Sequence, residues 1–192
     1  MPRASTEIPT REAVITAAAS VFARRGFHNA SVREIAAEAG LTTGALYSNF
    51  DGKGDLFLAV LEEKIDPKLA VMYESTRTAP RMKVGARVGE EFAAYVKQQR
   101  RWLILLIEFW AQAARDVRLR PKFADRHARI RAAIVEVLAE RAAKLDTPLR
   151  LPAEELATLL IALTNGMAVE RLADPDSVPE DLYGRALDIL LG

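Results

Sequence analysis

The chain contains no cysteine, which excludes a disulfide framework, thiolate metal sites and thiol catalysis. Histidine is nearly as scarce. His28 and His127 are the two in the sequence, and neither lies in a cluster with ligand spacing, so no metal site is expected. Neither a glycine-rich phosphate loop nor a nucleophile elbow occurs, and no cofactor or catalytic residue is expected. Nowhere does the chain approach the ~18 consecutive apolar residues of a membrane span; the run over residues 102–107 is cut by Glu108. The opening MPRASTEIPTREA lacks the apolar centre of a secretion signal. Together these absences lead us to expect a soluble, cytoplasmic protein with no membrane partner. An excess of either charge is missing too: 27 Lys+Arg stand against 26 Asp+Glu. That balance offers no overall polyelectrolyte argument for nucleic acid, so such a claim must rest on local geometry.

What is present suffices for one compact unit, or for a core with a small appended module, held together without disulfide or metal. Strand-like alternation is nearly absent, and helical spacing runs throughout. After a flexible tail, residues 1–9, the residues Val14, Ala18, Val21 and Phe22 line one side of a helix. Gly26 supplies a left-handed stop and Phe27 the apolar residue that follows it. Ser31-Val32-Arg33-Glu34 reads as a capping box, with Val32, Ile35, Ala36 and Ala39 as the apolar stripe behind it, ending at Gly40. Thr42 caps a third short helix with Leu46 and Phe50 inward, and Asp51 is expected to cap a fourth. A kink or break is expected at Asp66-Pro67. A fifth helix carries Val84, Val88, Phe92 and Tyr95 or Val96. The sixth, from Trp102 to about Val117, is apolar nearly all round, which predicts burial on most sides. Pro121 opens a seventh, Pro152 an eighth, and a last helix ends in Leu190-Leu191. The expected fold is all-α, of about nine helices.

Residues 31–50 thus form two helices of about eight residues around a glycine-containing turn, the spacing of a helix-turn-helix. At 100° per residue, Leu46 and Phe50 point one way, while Gly44 and Ser48 point the other, flanked by Thr43 and Tyr47. The outward face therefore has small, hydrogen-bonding side chains and no carboxylate, which suits close approach to base edges and phosphates. An ordinary helical hairpin with a solvated face has the same pattern. Local charge does not separate the two, since residues 1–55 contain six Lys+Arg and six Asp+Glu.

The stretch from Arg11 through Leu61 resembles the DNA-binding domain of tetracycline-repressor (TetR) family regulators. The likeness is carried by residues 17–27 (AAASVFARRGF), Ser31-Val32-Arg33-Glu34-Ile35-Ala36, residues 39–50 (AGLTTGALYSNF), Lys53 and Asp55-Leu56-Phe57. Beyond Leu61, helix count and size alone agree. The resemblance implies that Thr43, Gly44, Ala45 and Ser48 face base edges, with the Ala45 methyl available to a thymine methyl. It implies phosphate contacts from Tyr47 and Lys53, helped by the amides opening the fourth helix, with Arg33 reaching a phosphate or a groove-edge base. Ser31 and Thr42 join this DNA-side set. Asn49 stands where family members usually carry His, which bears on the target sequence. Gly54 stands where an acidic residue is frequent, which predicts a looser first turn of the fourth helix. A bare packing role for Tyr47 and a merely solvated Lys53 are the plain alternatives.

The resemblance further implies a helix-turn-helix domain over residues 10–55 and a ligand-binding and dimerisation domain over 56–192. One reading head makes too few base contacts for operator selectivity, so a homodimer on a palindromic double-stranded operator is expected. Leu156, Leu159, Leu160, Leu163 and Met167 on the eighth helix and Leu182, Ala186, Leu187 and Leu190 on the last are the expected interface, with Gly166 allowing close approach. An unidentified small-molecule effector is expected among the middle helices, where Met72, Phe92, Tyr95, Trp102, Leu105, Phe109, Trp110 and Asn165 are candidate lining; simple core filling is the alternative for each. Glu108, costly to bury unpaired, is expected to pair with an arginine of a neighbouring helix. The residues Arg115, Arg118, Arg120, Lys122, Arg126, Arg129 and Arg131 read as solvated helix ends, with an acidic ligand as the alternative. The resulting expectation is a ligand-responsive transcriptional regulator, a repressor in the favoured reading. An all-helical interaction protein without DNA binding and an enzyme are the readings it competes with.

Overall fold

Ten α-helices and one π-helical turn, with no strand, make up the residues described by the computed structural model, namely 10–78, 80 and 84–191. The tail read at residues 1–9 lies outside them. The helices are α1 (Arg11–Asn29), α2 (Val32–Glu38), α3 (Thr43–Tyr47), α4 (Lys53–Val60), α5 (Asp66–Thr78), α6 (Val84–Gln98), α7 (Arg100–Arg115), α8 (Leu119–Leu145), α9 (Ala153–Ala173) and α10 (Leu182–Leu191). A π-turn, Leu61–Ile65, follows α4 and precedes α5 without a gap in sequence, so that with these three counted as one the described residues make up the expected nine or so. The break foreseen at Pro67 is replaced by this wider turn. Proline lacks an N–H and crowds the carbonyl four residues back. Here the Asp66 N–H bonds to the Leu61 carbonyl, five residues back, a spacing that accommodates an irregularity without ending the helix.

Packing divides the chain into two units, one containing the chain to Pro67 together with Leu105–Arg120, the other Lys68–Ile104 with Pro121–Gly192. The first unit thus runs past residue 55, and Leu56, Phe57, Leu58, Ala59, Val60 and Leu61 are all buried. The first unit is built on four buried rings. Phe57 meets Phe22 and Phe27 edge-on at centroid separations of 5.1 and 5.2 Å and lies tilted against Phe109 at 4.8 Å. Each such pair adds ~0.5–1.5 kcal/mol beyond its buried area.

In the second unit, α6 and α10 cross at glycines. A Cβ on Gly184 would run into the backbone of Gly85, and one on Gly85 into the Gly184 carbonyl and the Asp188 carboxylate. The contact is closed by Asp188, whose Oδ1 accepts the Gly85 N–H at 3.0 Å. Beneath it Tyr183 stacks on Phe92 at 4.2 Å and shares a 2.8 Å hydrogen bond with the Thr164 hydroxyl. Burial pushes the Tyr183 phenol up to about 12, with the Thr164 hydroxyl opposing.

Three local expectations are corrected. Leu103, Leu105, Phe109 and Ala113 bury one face of α7, but Ile104, Ile107 and Trp110 are exposed; apolar composition all round does not say how many faces the chain itself covers. Pro121 lies inside α8 instead of opening it, because the Asp116 carboxylate accepts the N–H groups of Arg118 and Leu119 and starts the helix earlier. Arg126 is buried, so it is no solvated helix end.

Candidate nucleic-acid interface

The local chemistry of residues 31–50 is satisfied as the spacing requires. The Ser31 hydroxyl accepts the Glu34 N–H at 3.2 Å while the Glu34 carboxylate accepts the Ser31 N–H at 3.1 Å, completing the capping box. Gly40 takes φ 69° between the helices, a conformation that costs glycine little. The Thr42 hydroxyl caps α3 by accepting the Ala45 N–H at 3.2 Å. Helix α3 is shorter than the eight or so residues expected: regular helix ends at Tyr47, and looser bonds from Ser48, Asn49 and Phe50 back to Gly44 and Leu46 carry the chain onward. Leu46 and Phe50 are buried as foreseen and pin the rod.

The opposite side presents what the spacing predicted. Gly44, Tyr47 and Ser48 are exposed, with Thr42 and Asn49 at the two ends, while Thr43 and Ala45 are half-buried. At 54% exposure Tyr47 is no packing aromatic. Ser48 Oγ donates to the Ala45 carbonyl at 2.7 Å, and the Asn49 amide donates to the same carbonyl and to Ser48 Oγ. Both side chains thus cap the frayed end of α3, and the serine hydroxyl is already oriented. Arg33 and Ser31 are exposed on the bracing helix.

Charge around this face is largely internal. Arg24 holds Glu38 at 2.7 Å and Arg25 holds Glu34 at 3.2 Å, so these cations and anions cancel locally. The Arg24 and Ser20 side chains hold the Glu38 carboxyl below the usual range, and Ser31, foremost, does the same for Glu34.

Lys53 is half-buried and engaged instead of lying free in solvent. Its Nζ donates to the His28 carbonyl at 2.9 Å and lies 4.8 Å from the centre of the Phe27 ring. Burial lowers its ammonium pKa, and the charge of Glu108 opposes that shift. Among the described residues Glu108 pairs with no arginine; its Oε2 accepts the Phe27 N–H at 2.9 Å. The reason lies in Gly26, whose φ of 78° and ψ of 168° interrupt α1 and turn the next amide toward α7. The N-cap of α4 is Gly52, not Asp51, and the Asp55 carboxylate accepts the Asp51 N–H at 3.2 Å. Gly54 does not loosen this turn. A Cβ there would fall inside the isobutyl group of Leu119, so a larger residue requires that side chain to move.

The eight candidate pocket residues divide between the units. Leu105, Phe109 and Trp110 belong to the first, and Met72, Phe92, Tyr95, Trp102 and Asn165 to the second. Phe109 and Phe92 fill the ring clusters described above, the plainer alternative for each. The second unit does carry an open groove of about 670 Å³ between α6 and α10, lined by Ala86, Glu90, Ala93, Lys97, Glu180 and Arg185 among others; it contains none of the eight. Of the expected dimer residues, Leu156, Leu160 and Leu187 are buried in the chain's own core, Leu159 is exposed, and Leu163, Met167, Leu182, Ala186 and Leu190 are half-buried. Val169 and Ile189, apolar residues of the same two helices outside that expected set, are exposed as well. Val169 follows Leu159 and Gly166 at helical spacing, a signal that counting leucines overlooks.

Residues 14–60 match the tetR family of bacterial regulatory proteins, and residues 84–191 match the C-terminal region of BetI-type transcriptional repressors. The HTH-type transcriptional repressor BepR of Brucella suis biovar 1 is 38% identical over 68 residues, 35% of this chain and 32% of that protein. The HTH-type transcriptional activator FasR of Mycolicibacterium smegmatis is 33% identical over 100 residues, 51% of this chain and 45% of that protein. The chain therefore spans about a third to a half of the length of these two relatives. FadR from Bacillus subtilis, solved in complex with stearoyl-CoA, superposes with a TM-score of 0.68 at 19% identity, over 95% of this chain and 97% of that one. That likeness is one of fold.

Proposed function

Because the chain belongs to the tetR family of bacterial regulatory proteins, we propose that it is a ligand-responsive transcriptional repressor that grips a palindromic operator as a homodimer. The observation that carries this reading is the exposed, carboxylate-free face of α3, with Gly44, Tyr47 and Ser48 outward and Leu46 and Phe50 locked beneath. A rod of this width enters the major groove of duplex DNA. Ser48, Gly44, Thr43 and Ala45 then read base edges, Asn49 and Thr42 flank them, and Tyr47, Lys53, Arg33 and Ser31 meet phosphate. No metal or catalytic group is called for, and the protein works in the cytoplasm, where its operator lies.

The partner surface follows from what α9 leaves uncovered. Among the described residues it is the one helix long and apolar enough to cross a membrane, yet only 28% of its most apolar window is buried. Its open side carries Leu159, Gly166 and Val169, and a Cβ on Gly166 would meet nothing within 4 Å. A second copy laying its own α9 and α10 here covers that side and lets the backbones approach at Gly166. The effector is a small molecule bound by the second unit. FadR holds stearoyl-CoA, but at that identity its ligand does not name this one.

Selection of bound fragments from random duplex DNA tests the reading. The expected product is a palindrome with half-site centres about 34–36 Å apart, bound less tightly as salt rises. Tyr47→Ala and Lys53→Ala should weaken all sequences alike, while changes at Ser48 shift base preference. Recovery of no sequence at low ionic strength would leave the interaction-protein reading in its place.

A further inference from the structure

The cluster around Lys53 assigns a role to a residue that lies far outside the helix-turn-helix. The Phe27–His28 segment is held from two sides. Its amide is taken by the Glu108 carboxylate of α7, and its ring and carbonyl hold the Lys53 ammonium of α4. Below it lie the buried rings of Phe22, Phe57 and Phe109, so the segment cannot sink or tilt freely. Lys53 is half-buried, a setting that disfavours its charge; Glu108, fixed on the same two-residue segment through the Phe27 N–H, is an anion whose field opposes that effect without outweighing it.

We propose that Glu108 is the positioning residue for the phosphate contact of Lys53: it clamps the backbone that aims the ammonium, and its negative charge, fixed on that same segment, competes with a DNA phosphate for the ammonium's field. The inference rests on the reading of Lys53 as a phosphate-side residue. It makes the two parts separable, because glutamine keeps an oxygen that can accept the Phe27 N–H and loses the charge, whereas aspartate keeps the charge and loses the reach.

The test measures operator affinity against salt for Glu108→Gln and Glu108→Asp, each with and without Lys53→Ala, and follows the Lys53 ammonium by NMR titration in the free protein. Glu108→Gln should bind DNA about threefold to tenfold more tightly at low salt. Its log–log salt dependence should be steeper by about one per protomer, and both effects should vanish beside Lys53→Ala. Glu108→Asp should bind more weakly than the parent. In the free protein Glu108→Gln should lower the Lys53 titration midpoint. An unmoved midpoint, or a gain in affinity that persists without Lys53, overturns the inference. If the midpoint moves but no variant binds DNA, the pairing stands and the proposed function falls.

Discussion

Ile189 offers the sharpest test of the dimer. It is 67% exposed at the end of α10, although its neighbours Leu187 and Leu191 are buried in the core. Full burial of such a side chain is worth ~1.5–3 kcal/mol, so covering its exposed two-thirds contributes ~1–2 kcal/mol per copy. A two-fold axis makes every interface residue count twice. Ile189→Ser should therefore weaken association by ~2–4 kcal/mol, on the order of thirtyfold to a thousandfold. Because the side chain packs little within its own chain, the thermal stability of the monomer should hardly change. Sedimentation equilibrium over a dilution series measures the first quantity and calorimetry of the dilute protein the second. Leu156→Ala is the contrasting control: Leu156 is fully buried in the chain's own core, so its truncation should cost ~2–5 kcal/mol of folding stability. An Ile189→Ser protein with the parent's dimer dissociation constant would refute the placement of the partner on this face.

Other consequences follow from packing and protonation. Gly184→Ala drives a methyl into the Gly85 backbone, where nothing can yield, and should cost about 3 kcal/mol or more; an unchanged melting temperature would show that α6 and α10 can separate freely. Gly54→Ala collides with the movable end of Leu119 and should cost ~1–3 kcal/mol, part of it recovered by adding Leu119→Ala. No recovery in the double variant would place the cost elsewhere. The Tyr183 phenol, raised to about 12 from an ordinary 10, keeps its proton in the folded state after the unfolded chain has lost it. Its contribution is complete below pH 10 and is lost as pH climbs toward 12, on the order of 3 kcal/mol in all. Urea midpoints across that range should fall in the parent and fall less in Tyr183→Phe.

The helix order, the capping box, the Thr42 cap and the inward pair Leu46 and Phe50 were all legible in the residues, because each depends on neighbours within a turn or two. So was the outward set on α3, since helical periodicity alone decides which side chains oppose a buried pair. Long-range contacts obey no such rule. The glutamate cut into the apolar run before Trp110 was visible as an anomaly, but its partner is a backbone amide exposed by the break at Gly26, 82 residues earlier. Gly54 read as a weakness until Leu119 was seen against it, and Gly85 and Gly184 drew no notice because their reason is each other.

The sequence by itself therefore settled which segments are helical, where α2 and α3 start, and which side of α3 is exposed. Only the tertiary structure decided which leucines of α9 and α10 are spent on the chain's own core, which aromatic rings are filler, and what holds Lys53 in place. The physical reason is range. A helix and its caps are selected by torsions and hydrogen bonds spanning about four residues, whereas burial and counter-charge are set by whichever distant segment arrives, and one apolar stripe fits many such arrivals equally well.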